Sequence, residues 1–183
     1  CPVVESLREM RFSVRAILAN HVALLHLYGL MNLNRQDILS IDLGAQSTSL
    51  LMMRKQSFWS RSLSQGSEKL IELIVQEKGI DREGAQNLLR KIRLDDTAES
   101  EEKLLRSVAE RYFVDLLNEI SRTISFYQSI ARGVKFQHLL LTGGMSMIPG
   151  LPAFFEKNLG IQTSRLALGP EFKVGTDVVD GLR

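Results

Sequence analysis

A single carboxylate and a group of small polar residues stand where an apolar run stops. Residues 38–43 read as a strand carrying one acid, Asp42, and Gly44, Ala45, Gln46, Ser47 and Thr48 follow before apolar residues resume. An acid at a strand end can orient a hydrated magnesium ion, because that ion keeps most of its waters and needs only one or two carboxylates. The same acid could simply cap the turn of a plain hairpin. Far downstream, Leu139, Leu140 and Leu141 form a short apolar run, and Thr142-Gly143-Gly144 breaks it. A helix is expected to open over residues 146–151, with Pro149 in its first turn. Strand, glycine pair and helix start together let backbone N–H groups cradle a phosphate or a nucleoside. An ordinary strand-to-helix turn uses the same glycines, so either motif alone is weak.

The elements that would position these residues follow from periodicity. Residues 3–10 read as the tail of a helix, and residues 12–17 alternate apolar and polar as a strand does. Residues 20–28 read as a helix capped by Gly29. Two further strands are expected at 49–53 and 57–63, joined by the basic turn Arg54-Lys55-Gln56. Ser67 is expected to cap a helix ended by Gly79, and Asp81 to cap another running through Lys91. Residues 95–102 are acidic and lack an apolar anchor, so they read as a surface loop or helix start. A long helix follows from Glu102 to about Ile130 and is closed by Gly133. After the glycine pair come a helix at 151–159 with Phe154 and Phe155 facing in, and a last strand at 161–168 ended by Gly169-Pro170. Trp59 reads as sheet cover, and His21 and His26 as packed or solvated side chains.

Composition removes several classes of function. The chain of 183 residues is 44% apolar and 24% charged, ordinary for a globular protein. A formal charge of +2 gives no argument for nucleic acid. The one cysteine, Cys1, excludes a disulfide framework within the chain. Three scattered histidines and no Cys/His cluster argue against zinc. There is no nucleophile elbow and no Walker lysine loop. No apolar run reaches the length of a membrane span, and none reads as a signal peptide. The chain opens at Cys1 inside what reads as structured sequence, so an excised fragment is expected.

The two polar motifs, in this order and at this separation, carry a resemblance. Asp-Leu-Gly-Ala-Gln-Ser-Thr-Ser, residues 42–49, resembles the second phosphate loop of the actin and heat-shock-chaperone ATPase superfamily. Thr-Gly-Gly-Met-Ser-Met-Ile-Pro-Gly-Leu, residues 142–151, resembles its adenosine motif. Residues 117–129 look like the helix leading into that motif and are most similar to the PilM family, actin-like cytoplasmic proteins of type IV pilus machines. The resemblance runs from about Phe12 to about Val174.

It implies an α/β, actin-like ATPase (ribonuclease H-like) fold, truncated mainly to the second large subdomain and a small inserted helical subdomain. Residues 1–37 would be the tail end of the first domain, residues 38–65 and 121–183 the second large subdomain, and residues 66–120 the insert. It implies ATP and magnesium as ligands. Asp42 would orient magnesium through water, and Gly44, Ala45, Gln46, Ser47, Thr48, Gln86, Gly143, Gly144, Met145 and Met147 would bind the nucleotide. The family's first phosphate loop would lie upstream of Cys1, so these residues alone would bind ATP far more weakly than the intact protein. Two departures bear on hydrolysis and selectivity. Val22 stands where relatives often place a water-orienting glutamine, with Asn20 and His21 the nearest polar groups. Gln86 and Leu89 replace an acid and a lysine that flank the nucleoside in relatives, with Arg90 and Lys91 one helical step away.

The implied role is a scaffold of type IV pilus assembly and twitching motility, at the cytoplasmic face of the inner membrane. Its partners would be the cytoplasmic tail of an inner-membrane pilus protein, other assembly proteins and other copies of itself, with no nucleic acid. An FtsA-like cell-division protein and an active ATPase or phosphotransferase share the fold and stay open as alternatives.

Overall fold

Three consecutive segments, the first two rich in apolar residues, build most of a mixed sheet, and a fourth and fifth reach it from far along the chain. In the computed structural model, which describes residues 2–33, 37–54, 57–93 and 99–168, the order is α1 (Pro2–Glu9), α2 (Asn20–Leu30), β1 (Ile38–Leu43), β2 (Thr48–Arg54), β3 (Ser57–Leu63), α3 (Ser67–Lys78), α4 (Arg82–Arg93), α5 (Glu99–Ile130), β4 (His138–Thr142), a 3₁₀ turn (Gly144–Met147), α6 (Leu151–Leu159) and β5 (Gln162–Arg165). The five strands lie in the order β3-β2-β1-β4-β5. β1 pairs antiparallel with β2 and parallel with β4. The basic turn at Lys55-Gln56, part of the acidic stretch 95–102, and the break at Gly169-Pro170 fall outside the described residues.

β1 is central and buried on both faces. Leu39, Ile41 and Leu43 point to one side, where they meet Leu50 and Met52 of β2 and Leu139 and Leu141 of β4. α3, α4, α5 and α6 cover that side with Leu70, Ile74, Leu88, Leu116, Ile120 and Phe155. Each such side chain contributes about 1.5–3 kcal/mol relative to exposure, so this face dominates the stability. The other side is smaller: Ile38, Leu51 and Met53 pack under α2, where Tyr28 is fully buried. Tyr28 Oη and Ser40 Oγ lie 2.6 Å apart in a buried hydrogen bond, which fixes α2 against the sheet. Trp59 on β3 packs against the rings of Phe126 and Tyr127 on α5.

Local chemistry sets the helix ends. Asp81 caps α4 by accepting from the Gly84 N–H at 2.8 Å. Gly79 ends α3 at φ +62°, a conformation that glycine adopts without a Cβ clash.

Four expectations are corrected. Residues 12–17 form no strand, because no described residue pairs with them and a lone strand has no ladder to close. α2 runs two residues further, through Gly29 to Leu30, and the Met31 N–H still donates to Leu27 O at 3.0 Å. Gly66, not Ser67, stands at the N-cap of α3. Pro149 is not in a helix; a 3₁₀ turn precedes it, and α6 starts at Leu151 with Pro152 in its first turn.

Burial raises the pKa of all three tyrosines, Tyr28, Tyr112 and Tyr127, above the ordinary 10.0. Hydrogen bonding to Ser40 and the charge of Asp42 modulate Tyr28. A raised folded pKa means the neutral ring contributes stability that is present below the ordinary pKa and lost as pH rises through the folded one. Tyrosinate absorbance should therefore stay below its half-maximal value at pH 10.0 in the native protein. It should rise at higher pH together with loss of helical circular dichroism; a midpoint at or below pH 10.0 with the fold intact would contradict this.

Candidate nucleotide site

The carboxyl ends of β1 and β4 lie side by side, with Asp42 directly opposite Thr142 in register. In sheets of this kind ligands bind beyond the carboxyl ends of parallel strands. Asp42 is half-buried there. Its Oδ1 accepts a hydrogen bond from Thr142 Oγ1 at 3.0 Å, and its Oδ2 accepts one from Asn20 Nδ2 at the start of α2. The carboxylate is thus oriented by two elements while each oxygen keeps further acceptor capacity. Among the described residues no group of three or more His, Cys, Asp or Glu gathers to hold a metal directly. A single oriented carboxylate fits magnesium held through its waters.

Gly143 closes the gap between the strands. Its φ is +83°, and a Cβ there would lie 2.5 Å from Leu43 O and 2.7 Å from Asp42 Oδ1. Ser146 secures the following turn by donating from Oγ to Gly143 O at 2.7 Å.

The hairpin turn after Asp42 is held from behind. Gly44 N–H donates to Ser47 O at 3.1 Å and closes it. The first N–H groups of α3 then satisfy its carbonyls: Ser67 N–H donates to Gly44 O at 3.0 Å and Glu68 N–H to Ala45 O at 2.9 Å. Gly66 makes this approach possible, since a Cβ there would sit 2.1 Å from Ala45 O. Thr48 Oγ1 donates to Gln65 O at 2.6 Å, and Tyr112 Oη, from α5, to Gly66 O at 3.1 Å. With the carbonyls turned towards α3, no described hydrogen bond engages the backbone N–H groups of Ala45 and Gln46.

The sequence-predicted residues divide accordingly. Asp42, Gly44, Ala45, Gln46, Ser47, Gly143 and Gly144 stand at the one sheet edge, half-buried or exposed. Met147 is exposed beside them, with Arg165 Nη1 3.7 Å from its sulfur. Thr48 and Met145 are fully buried, so their side chains support the two turns and do not face a ligand. Gln86 is exposed on α4 and makes no described hydrogen bond to the other site residues. Leu89 belongs to the core, which explains why a lysine is absent there. The polar group that meets Asp42 from α2 is Asn20, two residues before Val22; as the first polar residue of an apolar helix it was the available signal.

The mixed sheet and its helix cover are those of an actin-like fold. Among solved structures with this fold are MreB5 of Spiroplasma citri bound to AMPPNP (TM-score 0.64, 14% identity, 90% of this chain and 58% of that one) and the ethanolamine utilization protein EutJ from Carboxydothermus hydrogenoformans (TM-score 0.58, 15% identity, 74% and 45%). A PilM-PilN type IV pilus biogenesis complex matches at TM-score 0.75 and 20% identity, over 98% of this chain and 52% of that one. This chain therefore spans about half the length of that structure's chain. Residues 18–181 match the family described as Type IV pilus assembly protein PilM, and the chain belongs to that family. Comparison with curated proteins found no match.

Two glycine substitutions separate strain from site geometry. Gly133→Ala, at φ +79° with open space around it, should cost about 1–2 kcal/mol in chemical denaturation, the ordinary left-handed penalty. Gly143→Ala adds collisions with backbone and carboxylate, so it should cost at least about 1–3 kcal/mol more. Equal losses for the two variants would show that the close approach at Gly143 has no energetic weight.

Proposed function

We propose that this PilM-family chain serves as an actin-like scaffold of type IV pilus assembly, with magnesium-ATP as a conformational ligand at the edge formed by β1 and β4. The observation that carries this is the Asp42 carboxylate, held by Thr142 and Asn20 beside Gly143. Asp42 would receive the metal's waters, and the unengaged N–H groups of Ala45 and Gln46 would face phosphate oxygens. Gly44, Ser47, Gly143 and Gly144 would keep the cradle small enough for close approach, and Met147 with Gln86 would flank the nucleoside. The metal, when bound, neutralises phosphate charge. Related folds solved with AMPPNP and with ADP support this assignment.

The partner would be the cytoplasmic tail of an inner-membrane pilus protein, and the protein would then work at the cytoplasmic face of that membrane. A PilM structure solved in complex with PilN supports a pilus-assembly partner. Among the described residues no helix is long and apolar enough to cross a membrane. Residues 66–120 would form the inserted helical subdomain and residues 38–65 with 121–183 the larger one.

A second reading, a slow ATPase, is favoured by Asn20. Its amide touches the same carboxylate and can orient a water, but it has no basicity with which to take that water's proton. A general base typically contributes about 10²–10⁴ in rate, and without one from this position weak turnover is expected at most.

In full-length protein, Asp42→Ala should weaken magnesium-ATP binding about tenfold or more by calorimetry and weaken assembly with the partner tail in parallel. Phosphate release should be slow in both proteins. Turnover of about 1 s⁻¹ or faster that disappears in the variant would favour the enzyme reading. Unchanged nucleotide binding in Asp42→Ala would remove the proposed site.

A further inference from the structure

The sheet ends on one side in a seven-residue strand with nothing beyond it among the described residues. β3, Ser57–Leu63, pairs with β2 without a bulge through all seven residues and is the outer strand. Natural edges are usually blunted by proline, bulges or several charges. This one has no proline, no bulge and one charge, Arg61. Ser57, Phe58, Arg61 and Ser62 are exposed and Trp59 and Ser60 half-buried. Apolar side chains flank the edge on both faces of the sheet: Phe58, 51% exposed, on the α2 side, and Phe126 and Ile130 of α5, 53% and 57% exposed, on the opposite side.

The ladder shows which backbone groups are free. The Gly44 N–H to Ser47 O bond makes Gly44 and Ser47 a hydrogen-bonded pair. Antiparallel pairs alternate, so Ser49, Leu51 and Met53 direct their backbone groups to β1, and Thr48, Leu50, Met52 and Arg54 direct theirs to β3. Their partners Leu63, Arg61, Trp59 and Ser57 are therefore satisfied. Phe58, Ser60 and Ser62 point N–H and C=O outward.

We infer that this edge pairs antiparallel with the same strand of a second copy, about a two-fold axis at Ser60. That register alone uses all three outward residues of both strands. Ser60 meets Ser60 of the other copy, and Phe58 meets Ser62 in both directions, which closes six backbone hydrogen bonds. Trp59 then falls opposite Arg61 of the other copy in the non-hydrogen-bonded positions, where side chains approach most closely. Arginine over an indole face is a favourable cation–π pair. Among the described residues no carboxylate pairs with Arg61, so its guanidinium is available. A shift by two in the sum of the paired positions sets Arg61 against Arg61 or Trp59 against Trp59 and closes fewer bonds. The strand is thus self-complementary in backbone, and this register sets its one cation against an aromatic ring and not against the other cation.

The test uses the full-length protein in a cysteine-free background that includes Cys1→Ser. Ser60→Cys should form an intermolecular disulfide on mild oxidation, since a hydrogen-bonded pair has Cα atoms about 5.5 Å apart, inside the disulfide range. Ser57→Cys should not, because in this register the two Ser57 positions stand about 20 Å apart. Sedimentation over a concentration series should show a reversible dimer that Ser60→Pro weakens about tenfold or more. Proline is tolerated by the monomer at an outward-facing edge position, so circular dichroism should be unchanged. A monomer at all concentrations, a dimer indifferent to Ser60→Pro, equal cross-linking at both cysteines, or occupation of the edge by a different protein's strand would each overturn the inference.

Discussion

The candidate site depends on one close approach: Gly143 backbone against the end of β1, where Leu43 O and the Asp42 carboxylate leave no room for a methyl group. Around that approach the carboxylate is fixed from two directions. Thr142 comes from the neighbouring strand and Asn20 from a helix on the smaller face of the sheet. Neither contact is a strong source of stability. An exposed or half-buried hydrogen bond contributes about 0.5–1.5 kcal/mol, against several times that for a packed strand face. Their value is directional, because they present the acid in one orientation.

The hairpin turn is ordered by a different device. Its carbonyls are taken by the first N–H groups of α3, and Gly66 lets the two chains touch. The buried oxygens and hydroxyls behind the turn belong to Thr48, Gln65 and Tyr112, which join the hairpin, the α3 start and α5 through successive hydrogen bonds. A change in the turn is therefore felt at once by the helices that cover the sheet.

Much of this was legible in the sequence where a residue has only one good use. Ile38–Leu43 and Ser57–Leu63 were bounded correctly because apolar patterning and turn residues agree at both ends. Gly79 and Asp81 announced a helix end and a helix start for the same reason. The failures share a cause, since each needed a neighbour distant in sequence. Residues 12–17 alternate like a strand but meet no ladder. Thr48 and Met145 look like ligand groups in a motif, yet the fold turns both inward. Asn20 stands out locally as the first polar residue of an apolar helix, but its contact with Asp42 exists only when α2 is laid against β1.

The order in which the chain emerges gives the parallel pairing of β1 with β4 a kinetic meaning. Asp42 and Thr142 are separated by 100 positions, and closing a loop of that length costs about 4 kcal/mol of chain entropy. At ordinary synthesis rates of about 5–20 residues per second, the β1-β2-β3 meander, complete at Leu63, waits about 4–16 s for β4 to be finished at Thr142. During that interval one flank of the central strand has no partner, and the acid lacks one of its two orienting contacts. The edge between β1 and β4 is therefore completed late in biogenesis, and a ligand that needs both strands selects chains whose synthesis has passed β4.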